Sequence, residues 1–409
     1  STALPRFRLP IEVVEERDEA CRPVGSSRQG RITWRSDMAR VTRRRRSRTG
    51  KRGLLLALVA LALAQLACDG SDILNEDLAV RERVDGDWIR ITFTNPDTLD
   101  GEGRWAGGMD EDLVAVIGHA ETKVDVAAYD MDLETVADAL IAAQRRGVQV
   151  RLVTESDRVG DQALTKLEEA GIPVFEDHSD DGLMHHKFIV VDDQWVWTGS
   201  WNPTGRGTYR NNNNTVLIAS PALAENYTTE FNEMIAGHFG ADSFSNTPHP
   251  RVIIRAEDSE GHTRSVLVEN YFSPDDGVAE EIIAEIRAAE ERIRFLAFVF
   301  TSEAIVDAMV ERSQAGVVVQ GVIEERNTDQ PNSQYKRLRT AFHDVLTDGN
   351  PYTMHHKVIV IDDETVITGS YNFTHSAERT NDENVLIIHD PEVAGLFVEE
   401  FGRVYEEAR

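Results

Sequence analysis

The chain has 409 residues, of which 41% are hydrophobic and 28% charged, so it holds ample material for a sizeable core, and its two cysteines exclude a disulfide-built scaffold. Its formal charge is −28. The first 53 residues carry 15 Lys/Arg against 6 Asp/Glu, which leaves about −37 on the rest, a body that disfavours nucleic acid as a partner because phosphate contacts dominate non-specific affinity.

Taken in chain order, Ser1 to Asp37 has neither an initiating Met nor clear periodicity and reads as upstream sequence. After Met38 comes a basic run, Arg43 to Arg46, Arg48, Lys51 and Arg52, and then the apolar stretch GLLLALVALALAQLAC, which opens at Gly53. A basic region before an apolar one is the pattern of an export signal, and the stretch is shorter than the roughly 20 residues of a spanning helix. Leu66-Ala67-Cys68 resembles the bacterial lipoprotein signal, with Gln65 departing from it, and makes Cys68 the lipidation candidate. Residues 1–67 are therefore expected to be an upstream segment and signal peptide, and 68–84 a mature N-terminal linker. The expected location is the bacterial cell envelope, exported and either lipid-anchored to a membrane or periplasmic.

The rest of the chain is a duplication. Lys123 to Glu155, KVDVAAYDMDLETVADALIAAQRRGVQVRLVTE, aligns without gaps on Arg292 to Glu324 at an offset of 169 residues. Each copy reads as a strand, an amphipathic helix stopped by Gly147 or Gly316, and a β-branched strand. Such βαβ crossovers make parallel strands covered by helices, so each half is expected to be an α/β layer structure. Downstream, MHHKFIVVDDQWVWTGSWNPT aligns on MHHKVIVIDDETVITGSYNFT at an offset of 170. The halves are expected over 85–240 and 251–409, with a linker at 241–250. Gln330 to Tyr352 has no first-half counterpart of similar composition and reads as a longer loop with a short helix.

Each half thus carries His-x-Lys-x4-Asp, at His185/Lys187/Asp192 and His355/Lys357/Asp362, followed by Gly-Ser-x-Asn with Ser200/Asn202 and Ser370/Asn372. On a strand, residues i and i+2 share a face, so each His and Lys can address one ligand together. His186 and His356 point the other way and read as packing histidines. A phosphodiester is anionic and resists attack; without a metal it needs fixed cations, hydrogen-bond donors, a nucleophile and an acid. The paired motifs offer Lys187 and Lys357 as cations, Asn202 and Asn372 as donors, and two imidazoles for the remaining roles. The lysines oppose a divalent ion, so no metal and no cofactor is expected.

These residues resemble the phospholipase D superfamily, and the resemblance covers both halves. It implies an α/β, internally duplicated phospholipase D-like fold: two β-sheet lobes flanked by helices, sharing one active site. It also implies His185 as nucleophile and His355 as general acid/base, with the motif aspartates mainly supporting the structure. In NDENVLI, Glu383 occupies the place of the family's acidic partner for histidine; aligned on NNNTVLI, its counterpart is Asn214. The expectation is Glu383 behind His355 and Asn214 behind His185. The activity so implied is hydrolysis or transfer of phospholipid head groups through a phosphohistidine. The alternatives are a metal-independent endonuclease, a cardiolipin synthase-like phosphatidyltransferase and an inactive binding module. A chain holding both motifs is expected to be a monomer acting on phospholipid at a membrane, with nucleic acid disfavoured.

Overall fold

The computed structural model describes residues 79–83, 88–94, 96, 108–178, 182–257 and 262–409, so the expected export signal and lipidation candidate Cys68 lie outside the described residues. The first half comprises β1 (Val80–Arg83), β2 (Ile89–Phe93), α1 (Met109–His119), β3 (Lys123–Ala128), α2 (Glu134–Arg145), β4 (Gln149–Thr154), α3 (Gln162–Glu169) and β5 (Val174–Glu176). It continues with β6 (Lys187–Val191), β7 (Trp195–Gly199), α4 (Gly205–Tyr209), β8 (Asn211–Asn212), β9 (Asn214–Ala219) and α5 (Pro221–Ile235). The second comprises β10 (Arg251–Glu257), β11 (Thr263–Ser273), α6 (Val278–Ala288), β12 (Arg292–Ala297), α7 (Glu303–Gln314), β13 (Val318–Ile323), α8 (Tyr335–Ala341) and β14 (Val345–Thr347). It ends with β15 (Thr353–Met354), β16 (Lys357–Ile361), β17 (Thr365–Gly369), α9 (His375–Arg379), β18 (Glu383–His389) and α10 (Pro391–Glu407).

The βαβ units form as their patterns require. In the first, β3 and β4 run parallel, Lys123 opposite Gln149, and α2 buries Val136, Ala137, Leu140 and Ile141 between them and solvent. The motif strand β6 then enters antiparallel to β3 with Lys187 opposite Ala128, and β16 pairs likewise with β12, Lys357 opposite Ala297. The start of each motif strand therefore sits at the carboxyl end of the parallel strands, where the connecting loops gather. One seven-stranded sheet has the order β2-β9-β7-β6-β3-β4-β5, and one nine-stranded sheet β1-β10-β11-β18-β17-β16-β12-β13-β14.

Between the sheets lies a single apolar core drawn from both halves. It includes Phe188, Val190, Tyr227 and Phe231 from one, and Val358, Val360, Phe397 and Phe401 from the other. The helices α5 and α10 thus pack inside, while α1, α2 and α3 cover one sheet from without and α6, α7 and α8 the other. Both inner helices start with the same device. Pro221 and Pro391 occupy the first turn, Ser220 caps the Leu223 amide, and Asp390 caps those of Glu392 and Val393.

Two expectations are corrected. Residues 80–83, expected in a linker, form β1, which adds to the second half's sheet parallel to β10. Gln330 to Tyr352 does have a first-half counterpart: α8 and β14 repeat α3 and β5, each strand extending its sheet at the same edge. Their sequences diverged while the layer stayed, so composition concealed the repeat. The connection at 241–250 is fastened down: Thr247 donates to Asp276 at 2.6 Å and Asn246 to Glu233 at 2.7 Å.

Candidate active site

The two motif strands approach each other by exchanging backbone bonds just before the histidines. β8 of the first half pairs with β15 of the second, and Met184 bridges Asp382 in return. The His185 amide consequently donates to the Asp382 carbonyl (3.0 Å) and the His355 amide to that of Asn212 (2.9 Å). Two buried carboxylates hold the lead-in residues: Glu155 accepts from the Met184 amide at 2.9 Å and Glu324 from the Met354 amide at 2.7 Å.

This exchange sets which residue backs each imidazole, and it overturns the expected pairing. Nδ1 of His185 lies 3.0 Å from Oε2 of Glu383, within ion-pair range though off the line of a well-formed hydrogen bond. Nδ1 of His355 is 2.9 Å from Oδ1 of Asn213. Glu383 therefore serves His185 in the opposite half, and the counterpart of Glu383 is Asn213, one residue before the Asn214 that the aligned VLI triplets single out. The register decides this: Gly199 pairs with Thr215 and Gly369 with Val385, an offset of 170, whereas the triplets align at 169. A one-residue slip on a strand turns a side chain to the other face. Asn214 duly faces away, its Oδ1 3.0 Å from Nδ1 of His356.

The cations are buried against their own strands. Lys187 Nζ donates to the His185 carbonyl at 2.8 Å and Lys357 Nζ to that of His355 at 2.9 Å; Lys357 also reaches Nε2 of His355 at 3.3 Å. Each ammonium stands over an aromatic ring, Lys187 over Tyr129 and Lys357 over Phe298, both at 5.1 Å. The same rings meet the imidazoles edge-on, Tyr129 on His185 and Phe298 on His355.

The pocket gathers positive charge that waits for an anion. Burial first, then Lys187 and Lys357, push His185 well below the usual imidazole range, and burial with the same two lysines does so for His355. Burial brings Lys187 down to about 7 and lowers Lys357 well below the usual ammonium range, with Lys187 adding to the effect. Burial also raises Glu383 to about 7, against the pull of Lys187 and Asn381. Groups that shift one another in this way converge on one place, and an entering phosphate would relieve all the cations together.

The remaining expected residues divide by position. Ser200 and Ser370 each accept the backbone amide of an asparagine at the start of the return strand, Asn214, first in β9, at 3.1 Å and Asn384, second in β18, at 3.0 Å. The glycine before each serine permits that approach: a Cβ on Gly199 or Gly369 would stand 2.3 or 2.1 Å from the Asn214 or Asn384 carbonyl oxygen. Asn202 and Asn372 keep their Oδ1 atoms buried without a hydrogen-bond partner among the described residues. Asp192 and Asp362, grouped with the catalytic residues by the motif, stand at the far ends of β6 and β16, roughly 15 Å along the strand from the lysines. They open tight turns with positive φ. Asp192 collects the amides of Glu121, Thr122 and Lys123, and Asp362 those of Glu290, Glu291 and Arg292. They clasp the helix-to-strand turns and touch nothing at the histidines.

Sequence reasoning missed Asn213, Glu155, Glu324, Tyr129 and Phe298. The last four stand as matched pairs within the first aligned block, which is the signal that could have found them. Among the described residues, one group brings three metal-ligating side chains together, Glu269, Glu285 and His389. It lies away from the motifs, and Arg251 already occupies Glu269 at 2.7 Å.

The comparisons with known proteins agree with this geometry. The chain matches the family described as cardiolipin synthase, PLD-like domain, twice, over residues 113–235 and 282–405. It is 36% identical over 132 residues to a phospholipase D of Rickettsia prowazekii (strain Madrid E), covering 32% of this chain and 64% of that protein. It is 35% identical over 132 residues to the human mitochondrial cardiolipin hydrolase, covering 32% of this chain and 52% of that one. The chain thus spans about half to two thirds of the length of these relatives. A phosphatidylserine synthase structure from Haemophilus influenzae Rd KW20 shares the fold with a TM-score of 0.56 at 14% identity, covering 78% of this chain and 86% of that chain. With a domain match in each half and both motifs meeting at one site, the chain belongs to the phospholipase D superfamily as an internally duplicated member with the PLD-like domain.

Proposed function

We propose that the protein is a phosphodiesterase of phospholipase D type, hydrolysing or transferring phospholipid head groups through a phosphohistidine. The observation that carries this reading is the convergence of both His-Lys pairs, with Glu383 of one half behind His185 of the other. In this mechanism Lys187, Lys357 and the amides of Asn202 and Asn372 hold the non-bridging oxygens. Nε2 of His185 attacks phosphorus while Glu383 balances the positive charge that forms on the ring. The P–O bond to the leaving group breaks, and that oxygen takes its proton from His355. Water then attacks phosphorus, giving its proton to His355; the new P–O bond forms as the P–N bond breaks, and His185 is released. Burial and the two lysines disfavour the charged form of His355, and the negative charge of a bound diester favours it, so the acid's proton comes with substrate binding.

The corrected pairing keeps His185 as nucleophile for a new reason. A carboxylate stabilises a cationic phosphohistidine, while the neutral Asn213 fixes the tautomer of His355 without holding its proton too tightly to donate. Phospholipid leads as substrate because relatives are named for phospholipid and cardiolipin hydrolysis and the acidic body disfavours polyanions. The basic and apolar segment ending at Cys68 supports delivery to the cell envelope with a lipid anchor, a reading checked by radiolabelled palmitate incorporation that Cys68→Ala abolishes. The deciding assay gives the purified protein, in EDTA, phosphatidylcholine or phosphatidylglycerol with ethanol, and separately single-stranded DNA. Phosphatidylethanol formation that requires His185 is expected. DNA cleavage without phosphatidylethanol would replace the lipid reading with an endonuclease.

A further inference from the structure

The motif histidines each have a histidine beside them, and the structure gives that neighbour a role of its own. His186 and His356 are fully buried behind the catalytic strands. Each places Nε2 2.9 Å from a glutamate of its own half's inner helix, Glu230 on α5 and Glu400 on α10. Each turns Nδ1 to an asparagine of the opposite half: His356 to Asn214 at 3.0 Å, His186 to Asn384 at 3.3 Å. Asn214 adjoins Asn213, which holds His355, and Asn384 adjoins Glu383, which faces His185.

Two closed circuits result. One runs from His355 through the chain to His356, across to Asn214, through the chain to Asn213 and back to His355. The other links His185, His186, Asn384 and Glu383 in the same way. The asparagines are steadied further, Asn214 donating to Thr368 at 2.8 Å and Asn384 accepting from Thr198 at 2.8 Å and Tyr227 at 3.2 Å. The backbone bonds between the strands set their separation. Asn213 is also held directly, accepting from Ser200 and donating to the Gly207 carbonyl, both at 2.9 Å, and Glu383 accepts from the Asn372 amide and from Asn381, both at 3.1 Å; the side-chain link ties the next residue of each return strand to the opposite half.

We propose that His186 and His356 are positioning residues, each fixing through an asparagine of the opposite half the side chain that holds Nδ1 of the adjacent catalytic imidazole. The inference rests on the phosphodiesterase reading above, but not on the lipid as substrate.

The two nitrogens of His356 allow its links to be cut separately. Asparagine reproduces the Nδ1 side and so can keep the bond to Asn214 while losing Glu400; glutamine reproduces the Nε2 side and keeps Glu400 while losing Asn214. With bis(p-nitrophenyl) phosphate and the whole protein, His356→Gln should lower kcat by up to about 10-fold, no more than loss of Asn213 itself, with KM changed less than about twofold, whereas His356→Asn stays within about twofold. Asn214→Ala should repeat the glutamine loss with His356 intact. Against an Asn213→Ala background the His356→Gln loss should largely vanish, since the circuit is already open. Equal activity of the Asn and Gln variants, or an undiminished Gln loss in that background, would overturn the proposal. Imidazole ¹⁵N shifts give a reading without substrate: His356→Gln should move the His355 tautomer signals and His356→Asn leave them, and unchanged signals in both would also overturn it. A wild type inactive on every phosphodiester, with the ¹⁵N result as expected, would sink the reaction and leave the positioning role standing.

Discussion

The two halves agree wherever a residue sets geometry and differ where a residue sets charge. Glu155 and Glu324, Glu230 and Glu400, Ser200 and Ser370, Asn214 and Asn384, Thr198 and Thr368, and the clasping Asp192 and Asp362 all recur at matching positions with matching partners, the two asparagine amides alone being turned in opposite senses. At the same offset of 170, Asn213 replaces Glu383, Glu233 replaces Arg403 and Tyr227 replaces Phe397. The inner dyads feel this. Burial raises Glu230 well above the usual carboxylate range, helped by Glu233 and Asp276, and burial brings His186 down to about 3, so both shifts oppose charge on that pair. Burial also opposes ionisation of Glu400, but its bonds from Arg403, at 2.6 and 2.8 Å, and from His356 outweigh it and hold the carboxyl below its ordinary value. Duplication supplied a symmetric frame, and a few charge substitutions gave its imidazoles different surroundings.

The sharpest break between the halves should come from the histidines themselves. His185→Ala is expected to lose activity by 10⁴-fold or more, about what removal of a catalytic nucleophile or base costs, and to trap no phosphohistidine. His355→Ala should be comparably poor on a lipid yet still accumulate the covalent species from a p-nitrophenyl diester, whose leaving group needs no acid. A ³²P-labelled intermediate in His185→Ala and not in His355→Ala would reverse the assignment. Next come the Nδ1 partners: Glu383→Gln should cost on the order of 10²- to 10⁴-fold in kcat, and Asn213→Ala only about 10-fold. Equal losses would erase the division of labour.

The pH profile of kcat/KM is a third probe. Glu383, raised to about 7, must be ionised to balance His185, so activity should fall as pH drops through about 7. Lys187, lowered to about 7, must be charged to hold phosphate, so activity should also fall as pH rises through about 7. The profile should be a narrow bell near neutrality, and Glu383→Gln should remove its acidic limb only. The smallest effect on chemistry belongs to Asp192→Ala and Asp362→Ala. Each should destabilise the fold by about 1–3 kcal/mol in urea unfolding through the orphaned amides, with the kcat of folded protein unchanged. A large kcat loss there would put the aspartates back at the reacting centre.

Much of this was legible in the chain because repetition is a strong signal. The βαβ blocks, the motif pair and the Gly-Ser-x-Asn turns are spelled twice, and the folded halves keep those spellings. What escaped was relational. Nothing inside NDENVLI states that Glu383 reaches across to His185, since the exchange depends on β8 pairing with β15 and Met184 bridging Asp382. The one-residue slip between Asn213 and Asn214 escaped because the VLI triplets match best at 169, while the strand pairs at 170. The α8–β14 layer escaped because an edge strand and its helix need only an apolar face, which many sequences supply.

The cross-strand exchange at Asp382 and Asn212 has a consequence for synthesis. The N-terminal half emerges first, carrying His185 and Lys187 in full, yet the carboxylate that faces Nδ1 of His185 lies some two hundred residues later in the chain. His355, in turn, finds Asn213 only by docking back onto the finished first half. An incompletely made or unfolded chain thus holds every letter of the motif without an oriented imidazole. On the proposed phosphodiesterase reading, a chain so constructed gains its activity only once its own assembly is complete.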